Sequence, residues 1–552
     1  MAHGHIKKSA VVFVDVIIPV HNAAATIRES VFSALKQEVP KATKFRGRHL
    51  HILDGISFDI AVCCYDDGST DDSFKILQEM KISLEEKVCT QIESVRSKLL
   101  ISRNDDGISR GAGVARNRAV SLRKHTEGII ENNHFLCLLD SDDIMHKHRV
   151  AEQVSVLLNL RRDEMHETLL GSTFNRIPAE STWHYTHWAN NLTDERLILE
   201  RFREVTILQP TWMLTRKRFD FLGGYIEAPT RRTEEDKIQV KAQENENPSS
   251  YQYKLIHPVY DTTETLRLAE DLRFFHAHLG CGKEQECRQD GKDETCSSSG
   301  VNGKLKLHRT EEPLVTYRHR AGQSQSSSTP RKLLLQLRAK SFEDTILRCD
   351  KRWMYDDKKR KGGFVIWGAG RDGKDFFKSL SPEIRCHVRC FVDVDEKKIK
   401  SGYYTCPSTS SKEKQCTKTD KMTRTPIVHF SMLAANDTVR EEMIEKWING
   451  DHASNNHDEI NGRISKKRPR SINHERKATS AEKAPQVSKR NKENQRPTHN
   501  ISKRDASNLV MLEELKELPV VVCVAMYRTN GVLERNVKNI GRTEGVNLWH
   551  FS

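Results

Sequence analysis

Between Val11 and about Leu160, short runs of β-branched and other apolar residues alternate with stretches of helical periodicity, and several of the apolar runs end in acids. Parallel strands need long crossovers and are buried on both faces, so this alternation specifies a parallel sheet covered by helices. Strands are expected at Val11–Pro19, Asp59–Tyr65, Lys98–Ser102 and His134–Asp140. Helices are expected at Ala23–Lys36 and Asp72–Met80, the second capped by Ser69-Thr70-Asp71. After a helical stretch, Leu333–Arg348, the pattern starts again with a strand at Phe364–Trp367. The organisation this predicts is an α/β domain over 11–330, a helical connection over 331–360 and a smaller Rossmann-like domain over 361–552.

With 552 residues the chain is too long for one core. Thr230–Ser250, Lys283–Gly303, Thr405–Thr425 and Gly450–Ser507 are poor in apolar residues and rich in charge, Ser or Asn, and are expected to be disordered insertions. The formal charge is +14, and residues 451–510 hold fourteen basic against seven acidic side chains, so half the excess sits in one polar stretch. Its cluster Lys466-Lys467-Arg468-Pro469-Arg470 reads as a solvated linker, an RNA-phosphate contact or a nuclear signal. No apolar run reaches spanning length, and Val11–Val20 contains Asp15 and lacks a small-residue cleavage site, which makes it a strand rather than a signal peptide. Thirteen cysteines, several in apolar runs (Cys63, Cys64, Cys137, Cys523), read as reduced thiols. A cytoplasmic address, with the nucleus also open and no membrane association, is the expectation. Cys281, Cys287 and Cys296 lack the paired spacing of a zinc site.

Three acidic motifs fall at or after strand ends, where open α/β sheets place ligands. They are Asp66-Asp67-Gly68-Ser69, Asp140-Ser141-Asp142-Asp143, and Glu270-Asp271 opening a helix. Crowded carboxylates need compensating cations or donors. A hard divalent cation, Mn²⁺ or Mg²⁺, held by Asp140 and Asp142 against a diphosphate satisfies that need. Read singly, each acidic pair is equally at home as a turn or a helix cap.

Together with Val16-Ile17-Ile18-Pro19-Val20-His21-Asn22, Ala115-Arg116-Asn117, Leu222-Gly223-Gly224-Tyr225 and Tyr317-Arg318-His319, these motifs resemble glycosyltransferase family 2, in order and at comparable spacing over about residues 11–330. The resemblance implies a glycosyltransferase A-type nucleotide-sugar-binding fold and an inverting, metal-assisted transfer from a UDP-sugar. It places Pro19, Val20, Asp66, Asp67 and Arg116 around the nucleotide, Asp140 at ribose or metal, and Asp142 on the metal. Asp271 becomes the base, and His319 a further metal ligand or phosphate contact. The segment Thr230–Ser250 intervenes where the family has a shorter connection, so Asp271 reaches the site only if that segment loops out.

A finer likeness within the family rests on Trp188-Ala189-Asn190-Asn191-Leu192-Thr193, on Ile366–Lys374, on Cys390–Asp395 and on Trp549-His550-Phe551. It implies UDP-galactose as donor and queuosine in a tRNA anticodon as acceptor. Trp183, Tyr185 and Trp188, with Glu270, are then the acceptor region, the aromatics offering faces to an unpaired base or packing as a lid. The rival readings are a β-1,3-N-acetylglucosaminyltransferase using UDP-N-acetylglucosamine on a glycan or lipid, and a non-catalytic module that binds nucleotide and RNA. In the second domain Gly368, Gly370 and Gly373, with Asp393 twenty residues beyond Gly373, match the dinucleotide fingerprint in context. Glycosyl transfer has no use for NAD, so these residues read as a second nucleotide site or as a scaffold.

Overall fold

The computed structural model describes residues 10–40, 53–86, 95–123, 133–228, 255–256, 262, 264–280, 306–320, 329–356, 361–406, 424–434, 438, 514–524 and 531–551. The insertions expected at 230–250, 283–303 and 450–507, and 407–423 of the remaining one, lie outside the described residues. The ends of that last stretch are ordered strand.

The first sheet grows from β1 (Ala10–Val20), α1 (Ile27–Leu35), β2 (Ile56–Asp66), α2 (Ser73–Glu85), β3 (Val95–Arg103), α3 (Ala112–Val120) and β4 (His134–Leu138). It continues with β5 (Ile144–Met145), α4 (Arg149–Leu158), α5 (Arg162–His166), β6 (Thr168–Ile177), α6 (Trp183–Asn191), α7 (Asp194–Leu199), β7 (Met213–Thr215), α8 (Arg216–Leu222), α9 (Glu270–Gly280) and β8 (Lys306–Arg318). The strand order is β3-β2-β1-β4-β7-β6-β8-β5. The β3-β2-β1-β4 half is parallel, as the alternation requires, whereas β7 runs antiparallel to β4 and β5 antiparallel to β8. The sheet is therefore mixed. Even-numbered residues of β1 (Val12 to Val20) pack with Ile27, Val31 and Leu77 of α1 and α2, while Ile17 on the other face joins Ala119, Val120 and Trp212.

Asp15 sits inside this sheet with no exposure at all. Its two carboxylate oxygens meet Arg123 Nε and His134 Nε2, each at 2.8 Å, and Arg123 also bonds Asp59 at 2.6 Å. A buried carboxylate is tolerated only with such partners.

The second sheet follows α10 (Arg331–Phe342), which runs on as a π-turn over Glu343–Leu347, and the small ribbon β9 (Tyr355–Asp356) with β10 (Lys361–Gly362). It is built from β11 (Phe364–Trp367), α11 (Arg371–Ser379), α12 (Pro382–Arg385), β12 (Val388–Asp393), α13 (Glu396–Lys400), β13 (Tyr403–Thr405), β14 (Arg424–His429), β15 (Val520–Val522), α14 (Val532–Asn539) and β16 (Leu548–His550). The order is β13-β14-β12-β11-β15-β16, with only β13 antiparallel. Both sheets belong to one compact unit, residues 1–429 with 518–552. A shared aromatic cluster joins them: Phe202 lies 4.9 Å from Phe342 and 5.6 Å from Trp549, centroid to centroid. The other unit, 430–517, contributes two short 3-10 turns, Phe430–Leu433 and Leu515–Glu517, among its described residues. No helix among the described residues is long and apolar enough to cross a membrane.

Candidate active site

The loops after β1 and β2 are tied to each other. Asn22 N–H donates to Ser69 Oγ at 2.9 Å, its side-chain oxygen accepts from Thr70 N–H at 2.9 Å, and Ala23 N–H donates to Ser73 Oγ at 2.8 Å. The N-cap of α2 is Asp72, whose side chain makes no cap bond, and the expected Ser69-Thr70-Asp71 contributes through Asp71, one residue earlier, whose carboxylate accepts from Ser73 N–H at 3.0 Å. Gly68 has φ +74°, and a Cβ there would lie 2.8 Å from the Gly107 backbone, so the turn admits only glycine. Asp66 and Asp67 are thereby fixed at the sheet's carboxyl edge, both buried. Asp67 Oδ2 accepts from Ser109 Oγ and from the backbone N–H groups of Arg110 and Gly111 at 2.7–2.8 Å, while its Oδ1 and Asp66 Oδ2 are buried without a partner. Pro19 and Val20 precede this turn on β1, and Val20 C=O accepts from Asp67 N–H at 2.8 Å.

Gly111 caps α3, which presents Arg116, only 3 % exposed, between the other two motifs. Arg116 donates to Asp140 Oδ1 at 2.7 Å and to Glu270 Oε1 at 2.9 Å, so one guanidinium joins positions 24 and 154 residues away. Asp140 and Glu270 hold it firmly in its charged form against the cost of burial. Beside it, Arg110, Gly113, Val114, Leu266, Arg267 and Glu270 line a small recess.

The carboxylates of Asp140, Asp142 and Asp143 each offer an oxygen within 4.8 Å of the others. Two further arginines meet them. Arg320 Nε lies 3.0 Å from Asp142 Oδ2, and Arg318 donates its backbone N–H to Asp143 Oδ1 and a guanidinium N–H to Asp142 C=O, each at 2.9 Å. The compensation is incomplete. Burial, and then repulsion from Asp140, raises Asp142 to about 6, and burial with Asp140 and Asp142 holds Asp143 well above the usual carboxylate range. Asp143 Oδ2 is buried and unpartnered. A hard oxygen-donor set with surplus negative charge suits a divalent cation, so Asp140, Asp142 and Asp143 fit the metal expected there. His319 is not in that set; it is half-buried, and its backbone N–H donates to Ile177 C=O at 2.8 Å.

Asp271 follows Glu270, the first residue of α9, and the pair is preceded by Ala269 in the left-handed region, φ 56°. It keeps part of its surface open while protein closes around its carboxyl. Burial, then Glu270 and Glu204, lifts it to about 7, against Leu272 N–H, which donates at 2.7 Å, and Arg116. Tyr185 of α6 feels the charge of Asp271, and Tyr317 of β8 feels those of Asp140, Asp142 and Asp143. Arg176 lies under both rings, 5.7 Å from Tyr185 and 4.6 Å from Tyr317. The acidic cluster and Asp271 thus border one aromatic-lined region, with a carboxyl of near-neutral pKa on one side and three clustered carboxylates on the other. Arg318 was visible in the sequence as part of a motif without a role, and Arg320 not at all; a basic pair at a strand end was their only signal.

Of the expected acceptor residues, Trp183 is 53 % exposed and stacks on His184 at 4.8 Å. Trp188 turns inward, donating Nε1–H to Glu200 at 2.6 Å, Tyr185 donates to Val205 C=O at 3.2 Å, and Glu270 is engaged by Arg116. In the second sheet, Asp393 Oδ2 accepts from Ala369 N–H at 2.8 Å and meets Lys398 Nζ at 3.0 Å, while its Oδ1 accepts from Val394 and Asp395 N–H. The acid that would meet a ribose is spent on its own glycine turn. Gly373 packs so closely that a Cβ would stand 1.8 Å from Gly368 O.

Residues 15–221 match the glycosyl transferase family 2 model. The chain therefore carries a glycosyltransferase family 2 domain, and it is a glycosyltransferase. Among solved structures, the S. aureus TarS fragment 1–349 in complex with UDP-GlcNAc is similar at 13 % identity, covering 68 % of this chain and 84 % of that one, with a TM-score of 0.34. The same fragment in complex with UDP is similar at 14 % identity, covering 68 % and 83 %, with a TM-score of 0.32.

Proposed function

We propose that this glycosyltransferase inverts the anomeric centre of a UDP-sugar, with Asp271 as base, and that it moves galactose from UDP-galactose onto queuosine in a tRNA anticodon. One observation carries the chemistry: Arg116 binds Asp140 and Glu270 together, which sets the acid-rich end of β4 beside the residue preceding Asp271. The acceptor hydroxyl attacks the anomeric carbon, its proton passes to the Asp271 carboxylate, and the bond from that carbon to the diphosphate oxygen breaks as UDP leaves. A base near neutrality is matched to that proton transfer. Asp140, Asp142 and Asp143 would hold the divalent cation, which when bound supplies charge stabilisation to the leaving diphosphate. Pro19, Val20, Asp66 and Asp67 line the base of the nucleotide, and the unpartnered oxygens of Asp66 and Asp67 are free to accept from a nucleobase N–H.

The acceptor assignment rests on the finer likeness described above, on a net charge of +14 and on the exposed Trp183, a face on which an unpaired base stacks. Cys63, Cys64, Cys137, Cys390 and Cys523 are buried thiols outside any disulfide, which suits a reducing compartment where tRNA is at hand. Hydrolysis of UDP-galactose and UDP-N-acetylglucosamine, measured side by side in the presence of Mn²⁺, tests the donor. Preference for UDP-galactose is expected; preference for UDP-N-acetylglucosamine moves the enzyme to a glycan or lipid acceptor, and no turnover of either leaves only a binding module.

A further inference from the structure

A second group of metal-ligating side chains lies just beyond the acidic motif and takes no part in the chemistry above. His146 follows β5, His148 precedes α4, and Glu152 occupies the first turn of that helix. One atom from each lies within 4.8 Å of the others. His148 and Glu152 are four residues apart, the spacing that puts two ligands on one helix face. The backbone holding them is fixed: His146 N–H donates to Leu314 C=O of β8 at 2.9 Å, Gln37 Nε2 donates to His146 C=O at 3.1 Å, and Glu152 N–H donates to His148 C=O at 3.0 Å.

Glu152 is the observation that calls for a ligand. It is only 7 % exposed, and its Oε1 is buried with no hydrogen-bond partner. A buried, unpaired carboxylate oxygen is costly at full charge, and here burial together with Glu312 raises the carboxyl to about 7. Two imidazoles stand where a compensating cation belongs. We propose that His146, His148 and Glu152 form a zinc site separate from the catalytic cation, with a structural role. Imidazole and carboxylate donors select Zn²⁺ over Mg²⁺, which prefers oxygen alone. Tetrahedral zinc sets its ligand atoms roughly 3.4 Å apart, and the three atoms already lie within 4.8 Å of one another, so side-chain rotation can close the arrangement. His146 Nδ1 meets His148 N–H at 3.4 Å, a long contact that a metal bond to that nitrogen would replace. The charge of Glu312 acts on both His146 and Glu152, so a further carboxylate borders the group. The ion would then tie the segment after Asp143 to α4 and to β8, the strand whose end holds Asp142 and Asp143 through Arg318 and Arg320.

The test uses the full chain, stripped with EDTA and titrated with Zn²⁺ against a chromophoric chelator, and with Co²⁺ for the visible bands of tetrahedral coordination. His146→Gln changes an exposed side chain and Glu152→Gln is isosteric, so both keep the fold; Asp142→Asn is the control in the other cluster. Wild type and Asp142→Asn are expected to bind Zn²⁺ alike and to show the cobalt bands, and each of the two ligand variants to lose them and weaken zinc binding at least about tenfold. The proposal is overturned if wild type shows no such bands, if both ligand variants keep them, or if Asp142→Asn alone removes them.

Discussion

Replacing Asp271 by Asn should separate activity from stability. In the unfolded chain a carboxyl titrates near ~3.9, whereas Asp271 in the native protein titrates at about 7. At 1.36 kcal/mol per pH unit, the ionised carboxyl costs the native state up to about 4 kcal/mol, and relaxation of the protein around it reduces this to about 2 kcal/mol. The sign follows from proton uptake. Below pH ~3.9 both states are protonated and the cost vanishes; between there and pH 7 the unfolded chain ionises first, so stability falls as pH rises; above 7 the full cost is present. Asp271→Asn, which carries no charge, should therefore melt several degrees above wild type at pH 8 and together with it at pH 3.5, in metal-free buffer. Transfer should fall by a factor of at least about 10³ while UDP binding stays within a few-fold, because the lost group touches only the acceptor's proton. A variant that melts below wild type at pH 8, or that turns over normally, would refute the assignment of a desolvated base.

In wild type the same titration should govern the rate. With Glu270, Glu204, Arg116 and Tyr185 as the charged and titratable groups around Asp271, kcat should drop about tenfold per pH unit below 7 and level off above it, which a pH–rate profile reads directly. Asp142→Ala should abolish the Mn²⁺-dependent part of UDP binding, seen by calorimetry with and without the metal; equal binding in both buffers for wild type would remove the cation from the site. Arg116→Ala strands Asp140 and Glu270, and should lower unfolding free energy by about 3–5 kcal/mol in urea; a loss under about 1 kcal/mol would mean that the bridge is solvent-screened.

Sequence revealed what is local. Apolar runs ending in Asp66-Asp67 and Leu139-Asp140 announce strands with acids at the carboxyl edge; β2 ends in Asp66, whereas β4 stops at Leu138 and leaves Asp140 in the turn beyond it. Boundaries moved because partners decide them: β1 runs one residue further at each end than its apolar core, since β2 pairs with it along its whole length. What could not be read was long-range. Arg116 was noticed only for its motif, and its bond to Glu270 spans 154 residues. Arg320 lies beyond the last strand of the first sheet and meets Asp142 only because β8 pairs with β5, which follows the acidic motif directly. The antiparallel β7, inserted beside β4, is three residues long and carries no periodicity to detect. In the second sheet the letters of a nucleotide fingerprint were legible, but not that Asp393 turns back onto its own loop.

The most direct measurement is mass analysis of the nucleosides of tRNA from queuine-fed and queuine-starved cells, after incubation with the purified protein, Mn²⁺ and UDP-galactose. Queuosine heavier by one hexose should appear in the fed sample alone and be missing when Asp271→Asn replaces the wild type. An unchanged queuosine peak with active, donor-hydrolysing protein would contradict the acceptor assignment, and equal product from the Asn variant would contradict the mechanism.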